Sequence, residues 1–203
     1  MGVYKERRMD KFFAYLGGVQ GSGKGTISDM VTREHADVSA FHFSRLLLAH
    51  LGAHSLDDFD ALESNECNSI RASLYKSKLF DLKTAFGLID SHYVKIIKGG
   101  SIRVCLNQDS AQSIGLFLHL VSDPEVIAKR IKSLQGAERE RRIAKYSSFD
   151  EDLLSGIGRL QQISISTAQS IADQMGKPFV KIENNFTPEE VAKRVYLAIR
   201  ENL

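Results

Sequence analysis

The stretch FFAYLGGVQGSGKGT, which begins at Phe12, constrains the fold of this chain more than any other part of it. An apolar run empties into a glycine-rich loop, and a lysine follows at position 24. Gly18, Gly23 and Lys24 fit the spacing G-x-x-x-x-G-K, after a strand-like run and before a helix-like one. The glycines permit backbone angles and a close approach that a Cβ would block. Successive N–H groups of such a loop turn inward and cradle a phosphate, backed by the dipole of the helix that starts there. Gly18, Gly21, Ser22, Gly23, Lys24, Gly25 and Thr26 are therefore the candidate phosphate-binding residues. Lys24 is the point charge for the β- and γ-phosphates.

Short apolar runs alternate with longer amphipathic ones along the rest of the chain, the pattern of βαβ units and a parallel sheet. Strands are expected over 12–17, 38–43, 85–90, 114–121 and 179–183, and helices over 24–35, 44–51, 57–82, 124–134, 150–175 and 188–201. Nearly continuous apolar character, as in IGLFLHLV, suits strands buried on both faces. Ser122-Asp-Pro-Glu and Thr187-Pro-Glu-Glu read as helix starts, with a capping side chain ahead of a first-turn proline. Gly176 followed by Pro178 reads as a helix stop. Val191, Val195 and Ile199 form one core-facing stripe. Two segments break the alternation: a helical excursion over 44–82, and a polar, arginine-rich stretch over 135–149 read as a flexible loop.

The chain's 203 residues suffice for one domain with a full core, so 1–203 reads as a single domain. A formal charge of +2 gives no bulk argument for binding nucleic acid. Cys67 and Cys105 have no zinc spacing and fit a reducing, cytoplasmic setting. No apolar run reaches membrane-spanning length. The basic start MGVYKERRMDK leads straight into the first strand and is not read as a targeting segment. Helix stripes look alike whether they face a core or a partner, so the number of copies stays open.

Most phosphate loops place a magnesium-binding Ser or Thr directly after the lysine, whereas this one has Gly25 and then Thr26. In that respect the loop closely resembles those of nucleoside monophosphate kinases, adenylate kinases above all. The resemblance implies a three-layer α/β phosphate-loop fold, with a five-stranded parallel sheet and helices on both faces. It implies transfer of the γ-phosphoryl group of ATP to a nucleoside monophosphate such as AMP, with Mg²⁺ held mostly through water. It also implies an acceptor-binding helical segment after the second strand and an arginine-bearing lid after the fourth. The two irregular segments, 44–82 and 135–149, fall at those places.

Further residues follow from the same comparison. Asp90 closes the third strand and matches the carboxylate that orients Mg²⁺ waters, although a strand-end residue capping a turn would look the same. Ile89-Asp-Ser-His92 is similar to the Asp-Thr-His of archaeal-type adenylate kinases, which would turn His92 toward the monophosphate; the Asp-Gly-Phe-Pro-Arg of other adenylate kinases is absent. Ser44 and Arg45 fall where the family lines the acceptor pocket, and Arg71 where it contacts phosphate or base; helix capping and solvated arginines are the bland readings. Arg103 is a weaker candidate for the same cleft. A migrating phosphoryl group needs several cations. Arg130, Arg139, Arg141 and Arg142 can supply them from the lid, and Arg130, Arg139 and Arg142 are taken as catalytic. Asn184 falls beside the ATP adenine. His119 reads as a core residue, and His42 as an ordinary residue outside any metal cluster. Two other readings stay open: a kinase of another small metabolite, and a nucleotide-dependent switch or ATPase with a protein or RNA partner.

Overall fold

The computed structural model describes residues 12–52, 62, 64–97, 99–150 and 152–202. The basic stretch 1–11 and the first part of the helix expected over 57–82 lie outside them.

Apolar β1 (Phe12–Gly17) runs through the centre of a five-stranded parallel sheet. The other members are β2 (Val38–His42), β3 (Phe86–Asp90), β6 (Ile114–Val121) and β7 (Phe179–Glu183), in the order β2-β3-β1-β6-β7. All five match expected strands to within a residue at each end. Alternation of side chains along β1 splits the core. Phe13 and Tyr15 face one apolar layer with Phe43, Leu47, Tyr75 and Ile171. Ala14 and Leu16 face the other, with Ile27, Val31, Val191 and Val195. Helices α1 (Lys24–Glu34) and α8 (Pro188–Glu201) cover the second layer. Helices α2 (Phe43–Leu51), α3 (Ser64–Asp81) and α7 (Leu153–Met175) cover the first.

The expected helix signals are present. Asp123 accepts from the Glu125 amide ahead of α5 (Pro124–Lys132), Thr187 and Glu190 form a capping box on α8, and Gly176 ends α7 at φ 61°. Val191, Val195 and Ile199 are fully buried.

Two elements depart from the sequence reading. The arginine-rich stretch 135–149 is not a loop but helix α6 (Gly136–Ser147). Its few apolar residues, Ile143 and Tyr146, with Phe149 just beyond, pack against Val19, Ile127 and Ile157 in a third apolar cluster. Glu138 pairs with Arg141 and Arg142 at 2.7 Å each, the one-turn spacing that supports an exposed helix by about 0.2–0.5 kcal/mol per pair. The other departure is an unexpected antiparallel hairpin of β4 (Val94–Ile96) and β5 (Ile102–Val104). Its turn uses Gly99 and Gly100 at φ 84° and 78°. A short helix, α4 (Gln108–Ala111), follows it.

Candidate active site

The glycine loop leaves the C-terminal end of β1, and its shape rests on two positions where a side chain would not fit. Gly18 sits at φ 152°, where a Cβ would lie 2.7 Å from Ser22 Oγ, and Gly21 at φ 89°, where it would lie 3.0 Å from Ile127 Cγ2. The lysine that follows does not point into solvent. Lys24 curls back so that Nζ donates to the Gly18 carbonyl at 2.9 Å and the Val19 carbonyl at 3.0 Å, with Ser22 Oγ at 3.5 Å. Burial pushes its ammonium down to about 8, partly offset by the Asp90 carboxylate, while Arg142 adds to the lowering.

Three elements hold the loop from outside. Arg130 of α5 donates from Nη1 to the Ser22 carbonyl at 3.3 Å, and the Asn184 side-chain amide donates to the same oxygen. Asn184 is buried, and burial lowers the Arg130 guanidinium from its usual range. From α6 the Tyr146 hydroxyl donates to the Gln20 carbonyl at 2.9 Å. Of the candidate lid arginines, Arg130 thus touches the loop and Arg142 acts on Lys24 through its charge. Arg142 is bonded to Glu138, and Arg139 and Arg141 are exposed.

His92 lies across the loop from these groups. Its Nδ1 is 2.9 Å from the Gly18 carbonyl, which only accepts, so Nδ1 carries the proton. Burial, then the charge of Lys24, holds the imidazole well below its ordinary pKa, so the ring is neutral. The His92 carbonyl accepts from Tyr15 at 2.7 Å. Beside it Ser91 accepts from Arg71 at 3.4 Å. Arg71 is only 4% exposed and stands 4.2 Å over the Phe43 ring. Although desolvation opposes charge there, Cys105, Tyr75 and Tyr15 raise its pKa above the usual value. The sequence left open whether Arg71 faces solvent; it is buried on α3 between the Phe43 ring of α2 and Ser91 just beyond β3. Ser44 and Arg45 are exposed on the first turn of α2, and His42 rather than Ser44 occupies the N-cap position. Arg103 reaches from the hairpin to the start of α3, where it donates to the Leu62 carbonyl at 2.9 Å and to Cys67 Sγ at 3.5 Å.

Asp90 ends β3 next to the loop, and its Oδ2 lies 3.6 Å from where a Cβ on Gly25 would be. The same Oδ2 is 2.6 Å from His42 Nδ1, and His42 Nε2 is 2.7 Å from Asp29 Oδ1. His42 was missed by the sequence reading. Strand order would have found it, because His42 and Asp90 are register partners at the ends of β2 and β3. Among the described residues no group of three or more His, Cys, Asp or Glu could hold a metal by itself. One carboxylate beside a phosphate loop instead fits Mg²⁺ that arrives with nucleotide and keeps most of its waters. Thr26 is exposed. His119 is a core residue, as expected: Nε2 meets Ser164 Oγ at 2.8 Å, the ring stacks on Tyr93, and burial pushes it down to about 3.

A nucleotide-type loop at the end of a central parallel strand, with cations converging from α5 and α6, can be compared with known proteins. No family model matches the chain, and no curated protein matches it. Solved structures do. The chain is similar to shikimate kinase from Acinetobacter baumannii in complex with shikimate, at TM-score 0.62 and 13% identity, covering 95% of this chain and 94% of that one. It is similar to an unliganded sugar kinase from Janibacter sp., at TM-score 0.53 and 16% identity over 94% and 95% of the two chains. It is also similar to shikimate kinase from Aquifex aeolicus, at TM-score 0.52 and 16% identity over 94% and 97%. What these likenesses share with the chain is the fold, a five-stranded parallel sheet with helices on both faces. Within that fold Arg130, Asn184, Tyr146 and His92 all bond to carbonyls of the loop. Among the described residues, no helix is long and apolar enough to cross a membrane.

Proposed function

We propose that this chain transfers the γ-phosphoryl group of ATP to a nucleoside monophosphate, AMP foremost, giving two nucleoside diphosphates. The observation that carries the reading is Arg71. A guanidinium buried over Phe43, lined by Tyr15 and Tyr75 and joined through Ser91 to the strand that ends beside the loop, suits a ligand with an anion and a flat ring. Gly25-Thr26 and the Asp90-Ser-His92 string support the same choice by their resemblance to adenylate kinases.

In this reading the loop amides and Lys24 take the ATP phosphates. Lys24 releases the Gly18 and Val19 carbonyls as the phosphates enter. Asn184 faces the adenine side, and Arg130 and Arg142 meet the charge that spreads over the migrating group. Asp90 is the residue that would hold Mg²⁺ through water, and the metal supplies charge neutralisation on the β- and γ-oxygens. Arg71 and His92 place the acceptor, with Ser44 and Arg45 at the rim. An acceptor phosphate oxygen attacks the γ-phosphorus as the bond to ADP breaks. A phosphate acceptor has no proton to lose, so no general base is required. The protein works by positioning and charge, and α6 serves as the lid that excludes water.

A second reading keeps the reaction and changes the acceptor to a hydroxyl- and carboxylate-bearing metabolite. The likeness to shikimate kinases favours it, because a buried guanidinium binds a carboxylate as readily as a phosphate. A coupled assay separates the two: Mg·ATP is offered with each ribo- and deoxynucleoside monophosphate, then with hydroxy acids and sugars. The first reading expects ADP formation fastest with AMP. ADP formation driven by a hydroxy acid alone moves the assignment to the second, and no stimulation by any acceptor overturns both.

A further inference from the structure

Gly25 leaves the loop without the hydroxyl that most such loops carry after the lysine. Nothing steric demands this. Gly25 has no left-handed φ, and a Cβ there would meet nothing closer than Asp90 Oδ2 at 3.6 Å, an ordinary contact. A hydroxyl at position 25 would therefore start beside one particular carboxylate oxygen. That oxygen is already engaged from another direction by His42, at 2.6 Å.

His42 is well placed to hold it. Parallel pairing of β2 and β3 sets His42 level with Asp90, and the two side chains are only 15% and 13% exposed. The ring is fixed at its far end by Asp29, 2.7 Å from Nε2, which is 62% exposed and anchored on α1. Each ring nitrogen thus lies within hydrogen-bond distance of a carboxylate oxygen. Although His42 stands at the N-cap of α2, its side chain makes no capping bond. Among the described residues, its side-chain hydrogen bonds are to these two carboxylates, from α1 and β3.

We propose that His42 is the positioning residue for Asp90, supplying from the neighbouring strand the hydrogen bond that a hydroxyl at position 25 would otherwise offer. The terminal torsion of a carboxylate is broad, so an unrestrained Asp90 would spread over many orientations. A donor on Oδ2 selects one of them, and Asp29 keeps the donor in place. The inference rests on the kinase reading, in which Asp90 orients the waters of nucleotide-bound Mg²⁺. Outer-shell partners of this kind are typically worth about 10- to 100-fold in metal affinity or activity.

The test uses the full chain with ADP and Mn²⁺, whose binding is read by electron paramagnetic resonance without turnover. His42→Phe is expected to weaken Mn²⁺ binding to the protein–ADP complex about 10- to 100-fold. The free Mg²⁺ needed for half-maximal turnover should rise in parallel, with the acceptor KM unchanged. Asp29→Asn should shift both in the same direction by less. Gly25→Ser placed in the His42→Phe background should restore most of the lost Mn²⁺ affinity. Should His42→Phe not fold, His42→Gln keeps one donor and should fall between it and wild type. Wild-type metal affinity in the His42 variants overturns the proposal, as does an equal effect of Gly25→Ser with and without His42. The binding measurement needs no acceptor. A wild type that binds Mn²⁺ and ADP but transfers no phosphoryl group therefore sinks the kinase reading while His42 is still put to the test. A wild type that binds no Mn²⁺ with ADP overturns the proposal outright.

Discussion

The Tyr146 hydroxyl donates to the Gln20 carbonyl at 2.9 Å, so the arginine-bearing helix is fastened to the phosphate loop itself. The bond spans 126 positions in sequence, and burial pushes the phenol above its ordinary range, so it stays a donor throughout the working pH range. Tyr146→Phe removes one hydrogen bond and leaves the ring in its apolar cluster. Stability should fall by about 1 kcal/mol, read by urea unfolding, and the KM for ATP should rise several-fold. An unchanged KM would mean that the fastening plays no part in nucleotide binding.

Lys24 links loop chemistry to stability. Its folded pKa of about 8 lies below the ordinary 10.5. Between those values the unfolded chain binds more protons than the folded one, so stability rises with pH across that window. Below it both states are protonated, and the cost of burying the cation is fully present. The whole swing is at most about 3 kcal/mol. Lys24→Met should fold, lose phosphoryl transfer by several orders of magnitude, and lose this pH-dependent gain. Unfolding midpoints from pH 7.5 to 10.5 in both proteins measure it. A wild-type midpoint that falls over that range would refute the assignment.

Arg71 should separate acceptor from donor. Arg71→Met removes the cation over Phe43 and leaves an apolar chain of similar length. The acceptor kcat/KM should fall about 100-fold or more, the loss of a charge-assisted bond worth about 3 kcal/mol. The KM for ATP should change little. A loss confined to ATP would place the acceptor elsewhere.

The hairpin turn offers a matched pair. Gly99 and Gly100 both have left-handed backbones, but a Cβ on Gly99 meets nothing within 4 Å, whereas on Gly100 it would lie 2.2 Å from the Ser148 carbonyl oxygen. Gly99→Ala should cost about 1 kcal/mol from backbone conformation alone. Gly100→Ala adds a clash with backbone at the end of α6, so its melting temperature should drop distinctly further. Equal losses would show that the hairpin does not bear on α6.

Much of this architecture was legible in the residues. The sheet was, because each strand is a dense apolar run, and so was the loop, because its glycines are spaced for backbone rather than for side chains. Helix α6 was not. Its polar sequence carries few apolar anchors, and these matter only once Val19 and Ile127 are placed opposite them. The hairpin was hidden for a similar reason: each of its strands is three residues long, too short for a period to show. At the site, Lys24 and the glycines came from local spacing. The burial of Arg71 and the grip of His42 on Asp90 depend on which strands and helices become neighbours, which no local pattern records.

The order β2-β3-β1-β6-β7 has a further consequence for how the molecule breathes. Strand β1 is paired on both edges, and Phe13 to Leu16 are fully buried, so its amides can exchange with solvent only when the whole domain opens. The phosphate loop is thus attached to one of the three interior strands of the sheet. Helix α6 meets solvent along most of its length, and opening it requires releasing the Tyr146 bond to Gln20. The loop thus hangs between a strand locked in the sheet and a helix at the surface, and a substitution that loosens α6 reaches the loop through the Gln20 carbonyl.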